Sequence, residues 1–212
     1  MTTLALFDEG PRAIADGAVW LPGHALTQDR ALLAAIEQVT AEAPFRHLET
    51  PGGLRMSVAM SNCGACGWVS DRRGYRYADT DPLSGQPWPA MPTLFRELAR
   101  SAATAAGYAG FEPDACLINR YLPGTKLSLH QDRDEADFSA PIVSVSLGLP
   151  AVFQFGGLQR ADPAQRLPLA HGDVVVWGGN SRLRFHGVLA LKSGHHPLLG
   201  EQRINLTFRR AR

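Results

Sequence analysis

The stretch Ile142-Val143-Ser144-Val145-Ser146-Leu147-Gly148-Leu149-Pro150 decides the fold class, because branched apolar residues and serines alternate along it. It lies inside residues 138–159, which carry no charged side chain and are long enough to cross a bilayer. Alternation interrupted by Gly and Pro is typical of strand, turn and strand, not of a membrane helix. The stretch therefore predicts paired β-strands and no membrane span.

The same pattern continues on both sides of this stretch. Turn signals such as Pro123-Gly124 and Gly156-Gly157 separate the apolar runs. Strands are predicted at Ala115–Leu122, Lys126–His130, Ile142–Leu149, Val152–Phe155, Asp173–Trp177, Leu183–Val188 and Ile204–Phe208. Many short strands without helices between them are typical of a β-sandwich or a jelly roll. We expect such a core over residues 115–209.

The N-terminal half is predicted to contribute two helices. Thr27 is predicted to cap a helix that stops before Pro44, and a second helix is predicted from about Pro92 to Gly107. A short strand is predicted at Ala18–Leu21. The predicted fold class is therefore mainly β with flanking helices (α+β), in a single domain of residues 1–212.

Two parts of the N-terminal half lack a regular period. Residues 1–12 are predicted to form a loose arm. Residues 44–90 are rich in Gly, Pro, Asn and Asp, with short apolar pieces near Met56–Met60 and Tyr75–Tyr77. Long connecting segments of this kind usually carry function, so a hairpin-containing lid over the core is predicted.

The composition excludes several classes of protein. The 212 residues are 45% hydrophobic and 19% charged, which supports a packed core and excludes a wholly disordered chain. Lys and Arg total 21 against 20 for Asp and Glu, so any nucleic-acid contact must come from a local basic patch. Three cysteines and no recognisable signal peptide indicate a reducing compartment, so a cytoplasmic protein is expected. We also expect a monomer.

The pair Cys63-x-x-Cys66 raises the alternative of a zinc site. One such pair is half of a structural zinc site, and His195-His196 would have to complete it. We expect reduced cysteines in the core or the lid instead.

His130-Gln131-Asp132 is the first motif that points to chemistry. Side chains two apart on a strand share a face, so one imidazole and one carboxylate would converge there. His186, near the end of another predicted strand, is a candidate third ligand. Two histidines and one carboxylate on one face of a metal are typical of non-haem Fe(II) oxygenases. The His-x-Asp pattern alone also fits a surface histidine near an aspartate.

The segment Arg203-Ile204-Asn205-Leu206-Thr207-Phe208-Arg209 alternates polar and apolar residues throughout. If its apolar face packs outward, Arg203 and Arg209 face the interior, where an unpaired charge is costly. A dicarboxylate would pair with both arginines. Asn119 and Tyr121 share a face of another predicted strand and could bind a carboxylate or keto oxygen. Exposed polar faces on ordinary strands are the alternative for both segments.

Together these motifs give the chain a family resemblance. From about Ala43 to Arg209 it is similar to the AlkB family of Fe(II)- and 2-oxoglutarate-dependent nucleic-acid dealkylases, of the bacterial type. The resemblance rests on Thr50-Pro51-Gly52-Gly53, Met56-Ser57-Val58-Ala59-Met60, Trp88-Pro89-Ala90-Met91-Pro92, Asn119-Arg120-Tyr121, His130-Gln131-Asp132, Val143-Ser144-Val145-Ser146-Leu147-Gly148, Gly172-Asp173-Val174-Val175-Val176-Trp177-Gly178-Gly179 and Arg203-x-Asn205-Leu206-Thr207-Phe208-Arg209. The last motif is highly specific, whereas His-x-Asp is shared by many oxygenases.

The resemblance implies a double-stranded β-helix (jelly-roll) core with an N-terminal nucleotide-recognition lid. The catalytic residues and Fe(II) ligands that it implies are His130, Asp132 and His186. The residues that it implies for 2-oxoglutarate are Arg203 and Tyr121 at the distal carboxylate, and Asn119, Asn205 and Arg209 nearer to the metal.

The lid is expected to bind the substrate. Trp68 precedes Asp71-Arg72-Arg73-Gly74-Tyr75-Arg76-Tyr77, where basic residues suited to phosphates and aromatic residues suited to bases interleave. The resemblance places the damaged base between Trp68 and the ring of His130. The substrate-binding residues that it implies are Trp68, Tyr75, Arg76, Tyr77, Asp134, Glu135 and Arg160. Packing within the lid is the alternative for Trp68 and the tyrosines.

The implied activity is oxidative removal of N-alkyl groups, such as those of 1-methyladenine and 3-methylcytosine, from single- or double-stranded DNA, with RNA as a further candidate. Fe(II), 2-oxoglutarate and O2 are the implied cofactor and cosubstrates, and formaldehyde, succinate and CO2 the implied products. One rival is a 2-oxoglutarate oxygenase that acts on a protein or a small molecule and needs no basic and aromatic lid. The other is a non-enzymatic binder of damaged DNA, which would not need the complete set of metal and cofactor residues.

Overall fold

The computed structural model describes residues 10–212. Two helices lie in the N-terminal half, α1 at Asp29–Glu42 and α2 at Thr93–Ala105. The strands, numbered in chain order, are β1 Arg12–Ala15, β2 Ala18–Leu21, β3 Arg46–Glu49, β4 Arg55–Gly64, β5 Gly67–Asp71, β6 Gly74–Ala78, β7 Ala115–Tyr121, β8 Leu127–His130, β9 Ile142–Gly148, β10 Ala151–Phe155, β11 Gln165–Leu169, β12 Val174–Trp177, β13 His186–Val188 and β14 Arg203–Arg209.

The strands form two antiparallel sheets and a separate hairpin. The larger sheet has the order β1-β2-β12-β9-β14-β7-β4-β3, and the smaller sheet has the order β11-β10-β13-β8. From β7 to β14 the chain passes repeatedly between the two sheets, and side chains of both share one hydrophobic cluster. This arrangement confirms the predicted mainly β fold with a jelly-roll core.

The alternation of β14 is explained by what lies on each side of the larger sheet. Ile204, Leu206 and Phe208 belong to the hydrophobic core that also contains the buried faces of both helices. The Phe208 ring meets Phe95 of α2 edge to face, with centroids 5.9 Å apart. Burying a side chain of this size contributes about 1.5–3 kcal/mol. The polar residues of β14 therefore face the smaller sheet, as the pattern predicts.

The two predicted helices are present, but the start of α1 differs from the prediction. Thr27 lies inside a short 3-10 turn, Leu26–Gln28, and Gln28 is the capping residue, with no side-chain hydrogen bond. The turn already winds the backbone, because the Gln28 N–H donates to the Ala25 carbonyl at 3.2 Å. The C-terminal end of α2 agrees with the prediction. Gly107 follows the helix with a φ of 91°, a backbone conformation that favours glycine.

The predicted lid contributes strands both to the larger sheet and to a separate hairpin. β4 continues the larger sheet by pairing with β7, whereas β5 and β6 form a two-stranded hairpin of their own. Residues 1–9 of the predicted loose arm lie outside the described residues, and Arg12 begins β1. Neither described helix is long and apolar enough to cross a membrane.

Two other strand predictions need correction. β11 was missed because its sequence contains Pro168 and polar residues, which an edge strand of the smaller sheet tolerates. The strand predicted at Leu183–Val188 begins only at His186. Before it, the Arg184 N–H donates to the Ser181 carbonyl at 3.0 Å, which keeps the chain in a turn.

Candidate active site

A cavity of about 740 Å³ opens between the two sheets. Its floor carries the polar face of β14, and its walls include residues of β7, β8 and β13. Trp68 and Tyr75 of the lid hairpin line the same cavity. The fold thus brings the two sets of candidate residues, those of the core and those of the lid, to one space.

His130, Asp132 and His186 converge in this cavity, as predicted. The candidate ligand atoms lie within 4.8 Å of one another, and both histidine Nε2 atoms are 3.6 Å from an oxygen of Asp132. β8 and β13 are neighbours in the smaller sheet, with His130 directly opposite His186. The pairing of two antiparallel strands therefore sets the distance between the two histidines.

The histidine rings are oriented by the backbone. Nδ1 of His130 contacts the Ser128 carbonyl at 2.9 Å, and Nδ1 of His186 contacts the Arg184 carbonyl at 3.1 Å. A carbonyl can only accept, so each Nδ1 must carry a proton, and Nε2 is the atom of the neutral ring that can ligate a metal. This arrangement is the usual one for metal-ligating histidines.

The charge states also suit a metal centre. Burial would raise the pKa of Asp132, but the Arg209 guanidinium, together with the rings of His186 and His130, holds that pKa well below its ordinary value. Burial lowers the pKa of His186, and the adjacent His130 ring lowers it further. An anionic carboxylate and neutral imidazoles are the forms that bind metals. Two histidines and one carboxylate fit Fe(II) and leave other coordination positions open.

Arg203 lies at the other end of the cavity floor and is 1% exposed. Its Nη2 donates to Ser146 Oγ at 3.0 Å, and its guanidinium lies over the Tyr121 ring at 4.9 Å. Its Nε and Nη1 atoms have no hydrogen-bond partner among the described residues. Buried donors of this kind need an anion. One carboxylate of 2-oxoglutarate fits this requirement.

The other predicted cofactor residues line the cavity in different ways. The carbonyl oxygen of the Asn119 side chain also lacks a partner among the residues described. The Asn205 amide is held by the protein, since it donates to Ser144 Oγ at 2.8 Å and accepts from Thr207 at 2.9 Å. Arg209 donates to Asp132 Oδ2 through Nη2 at 2.6 Å. It therefore adjoins the metal ligands.

Four predicted substrate residues lie at the mouth of the cavity: Trp68, Tyr75, Asp134 and Arg160. The Trp68 and Tyr75 rings stack with centroids 5.5 Å apart and an interplanar angle of 13°. The Trp68 indole N–H donates to Asp134 Oδ2 at 2.8 Å. Two aromatic faces, a carboxylate and a guanidinium are thus grouped above the metal ligands.

Glu135, which the resemblance places at the base edge, does not line the cavity. Its side chain is 2% exposed and pairs with Arg182 at 3.0 Å and Arg209 at 3.2 Å. The Tyr77 hydroxyl donates to Glu135 at 2.7 Å, so its polar end points into the protein. Arg76 pairs with Asp71 at 2.8 Å, on the hairpin and outside the cavity lining. Buried carboxylates require partners, and these contacts supply them.

Arg182 is a site residue that the sequence pattern did not reveal. It follows a Gly-Gly-Asn-Ser turn, and it does not belong to a segment whose alternation would predict that its side chain is buried.

The alternative zinc site receives no support. Among residues 10–212, the triad is the one metal-ligand group, and the three cysteines are free and buried. Burial raises the pKa of Cys66 to about 11, so its thiol stays protonated.

Comparison with known proteins identifies the family. The model of the 2OG-Fe(II) oxygenase superfamily matches residues 17–209. The chain is 62% identical to the alpha-ketoglutarate-dependent dioxygenase AlkB of Salmonella typhimurium, over 96% of this chain and 95% of that protein. It is 37% identical to the DNA N(6)-methyladenine demethylase ALKBH1C of Arabidopsis thaliana, over 63% of this chain and 35% of that protein.

A solved structure supports the same assignment. The structure of OsALKBH1 superposes with a TM-score of 0.82 at 30% sequence identity, and the match covers 94% of this chain and 99% of that one. The family match over residues 17–209 includes the lid hairpin, the metal triad and β14. The chain belongs to the AlkB family of 2-oxoglutarate- and Fe(II)-dependent dioxygenases.

Proposed function

We propose that the protein is an oxidative dealkylase of nucleic-acid bases, with N-alkylated DNA as its main substrate. The observation that carries this proposal is the slot at the cavity mouth. There the stacked rings of Trp68 and Tyr75 and the carboxylate of Asp134 lie above His130 and Asp132. A flipped base has two flat faces and a polar edge. The aromatic rings suit a flat face, and the Asp134 carboxylate suits the polar edge.

Residues of this chain would hold the reacting groups in place. His130, Asp132 and His186 would bind Fe(II), and Arg203, with the hydroxyl of Tyr121, would bind the distal carboxylate of 2-oxoglutarate. When bound, these groups and O2 supply the oxidising chemistry that hydroxylates an N-alkyl carbon, with release of formaldehyde, succinate and CO2. Burial raises the pKa of Tyr121, so that hydroxyl stays protonated and able to donate. Asn119 and Asn205 would line the end nearer to the metal.

The lid would recognise charge as well as shape. Adenine methylated at N1 and cytosine methylated at N3 are cations near neutral pH, and Asp134 is a carboxylate at the base edge. The exposed Arg72 and Arg73, at the tip of the hairpin, would contact backbone phosphates. Because the net charge is +1, this local patch supplies the attraction to nucleic acid. Single-stranded DNA is the preferred form, because its bases need no unpairing.

The cysteines support a cytoplasmic setting. Cys63, Cys66 and Cys116 are free thiols, which suits the reducing cytoplasm. The cavity is completed by residues of one chain, so we propose a monomer as the active form. Double-stranded DNA and RNA are further substrates of the same slot.

A 2-oxoglutarate oxygenase acting on a protein is the rival function. Such an enzyme would share the metal and 2-oxoglutarate residues but would not need the stacked rings of Trp68 and Tyr75. The experiment is a direct comparison, in which succinate formation is followed with a 1-methyladenine oligonucleotide and with a methyl-lysine peptide. The proposal predicts stimulation by the oligonucleotide alone. Stimulation by the peptide alone would contradict it.

A further inference from the structure

The loop that joins β8 to β9, residues 131–141, carries the metal ligand Asp132 as well as Asp134 and Glu135. It contains no helix or strand, so its backbone hydrogen bonds must be made with groups outside the loop or with side chains. A metal ligand on such a loop is only as fixed as those contacts. The residues that supply them therefore help to set the geometry of the site.

From the turn that precedes β13, Arg182 supplies two hydrogen bonds to this backbone and one ion pair with a loop side chain. Its Nη1 donates to the Asp132 carbonyl at 2.8 Å, and its Nε donates to the Ala140 carbonyl at 3.2 Å. Its Nη2 pairs with Glu135 Oε2 at 3.0 Å. The guanidinium also lies over the Phe138 ring at 5.2 Å. One side chain thus ties the beginning, the middle and the end of the loop together.

The same side chain balances buried charge. Asp132 and Glu135 are two carboxylates, 9% and 2% exposed, and Arg209 contacts both, at 2.6 and 3.2 Å. Arg182, 3% exposed, pairs with the remaining oxygen of Glu135. Without Arg182, one guanidinium would have to neutralise two buried carboxylates. Glu135 would then compete with Asp132 for the hydrogen-bond donors of Arg209.

We propose that Arg182 is a positioning residue for the metal centre. It fixes the main chain at Asp132 and neutralises Glu135, so that the Asp132 carboxylate keeps its place between His130 and His186. It contacts no metal-ligating side-chain atom itself. Removal of groups that orient metal ligands typically weakens metal binding about 10- to 100-fold. The inference rests on the role of Asp132 as a ligand.

The test is Co(II) binding, followed by d–d absorption, which reports coordination geometry without turnover. We expect Arg182→Met to weaken Co(II) binding about 10- to 100-fold and to shift the absorption bands. Arg182→Lys keeps the charge but cannot reach all three partners, so its Kd is expected to lie between those of Arg182→Met and the wild type. If Arg182→Met does not fold, the Lys variant decides the question.

Arg46→Met is the matched control. Arg46 also pairs with a buried carboxylate, Asp81, and lies over an aromatic ring, that of Trp88 at 5.5 Å, but it does not line the cavity. This variant should lose stability and keep the wild-type Kd and spectrum. A wild-type Kd and spectrum in the Arg182 variants, or an equal loss in Arg46→Met, would overturn the proposal. Failure of the wild type to bind Co(II) would instead overturn the metal role of Asp132.

Discussion

The indole N–H of Trp68 donates a hydrogen bond to Asp134 Oδ2 at 2.8 Å, which joins the lid hairpin to the loop that carries Asp132. Asp134 is exposed, and Trp68 is half-buried against Tyr75. A hydrogen bond at a solvent-exposed mouth is readily exchanged for another. An incoming base with a cationic edge could therefore take over the Asp134 carboxylate while it stacks on Trp68.

Replacing Asp134 by Asn tests whether its charge selects the lesion. Asn keeps an acceptor for the Trp68 N–H but loses the attraction for cationic bases. We expect kcat/KM to fall about three- to tenfold on 1-methyladenine and 3-methylcytosine, equivalent to roughly 1 kcal/mol for partly screened charges. Ethenoadenine is mostly neutral and should be affected less. Asp134→Ala also removes the acceptor for Trp68 and should lower all three. An equal fall on the three lesions in Asp134→Asn would show that this carboxylate does not select by charge.

Replacing Trp68 by Ala tests the stacking role. One base stacked on an aromatic ring contributes about 1–3 kcal/mol, so the Kd for a methylated single strand should rise by roughly 5- to 150-fold. Oxidation of 2-oxoglutarate without nucleic acid should change little, because Trp68 lies on the β5–β6 hairpin and not on the strands that carry the metal and cosubstrate residues. Trp68→Phe keeps a ring but not the N–H and should bind nearly as well as the wild type. Equal affinities in the wild type and Trp68→Ala would favour a packing role.

Replacing Arg203 by Leu tests the cosubstrate site. The substitution removes two buried donors, Nε and Nη1, for which residues 10–212 offer no partner, a loss of about 2–5 kcal/mol for a buried pair. The KM for 2-oxoglutarate should rise roughly 30-fold or more, while the iron requirement stays nearly constant. Arg120→Leu is a suitable control, since Arg120 lies on β7 against Phe45, outside the cavity lining. An unchanged 2-oxoglutarate dependence in Arg203→Leu would place the carboxylate elsewhere.

Replacing Asp132 by Ala tests the metal centre. The variant loses the single anionic ligand of the triad, so it should show no turnover at limiting iron and bind Co(II) too weakly to titrate. Asp132 also pairs with Arg209, so some loss of stability is expected, and circular dichroism must confirm the fold. Wild-type turnover by a folded Asp132→Ala protein would remove this residue from the metal site.

The Arg46–Asp81 pair gives a pH-dependent prediction for stability. Burial would raise the pKa of Asp81, but the Arg46 hydrogen bonds and the Leu83 N–H bring it below its ordinary value. The folded pKa is thus below the unfolded one. The resulting stabilisation is complete above the unfolded value and is lost as pH falls through the folded value. Urea unfolding should show Asp81→Asn as less stable near pH 7, with the difference shrinking below about pH 4. A difference that is constant with pH would exclude this linkage.

Much of the core could be predicted because its residues obey a simple period. The alternation along β14 separates Phe208, packed under α2, from Arg203 in the cavity. The pairing of His130 with His186 was expected only as a convergence, since register between β8 and β13 depends on hydrogen bonds that no local pattern encodes. The resemblance to AlkB dealkylases supplied what the periodicity could not.

The failures have physical causes. The resemblance places Glu135 with Asp134 at the base edge, whereas Arg182 and Arg209 hold its carboxylate inside the protein. These arginines come from distant turns and strands, so their pairing is a property of the folded chain. Thr27 was expected to cap α1, but a 3-10 turn places it one residue too early. Local sequence propensity predicts neither the ion pairs of Glu135 nor the 3-10 turn at Thr27.

Mass spectrometry of alkylated oligonucleotides tests the central claim most directly. Strands that carry 1-methyladenine, 3-methylcytosine or ethenoadenine would be incubated with the protein, Fe(II), 2-oxoglutarate and O2, and succinate and formaldehyde measured in parallel. The account predicts restored adenine and cytosine in the methylated strands, with one formaldehyde and one succinate for each methyl group removed. Succinate formation with every alkylated base left unchanged would contradict it.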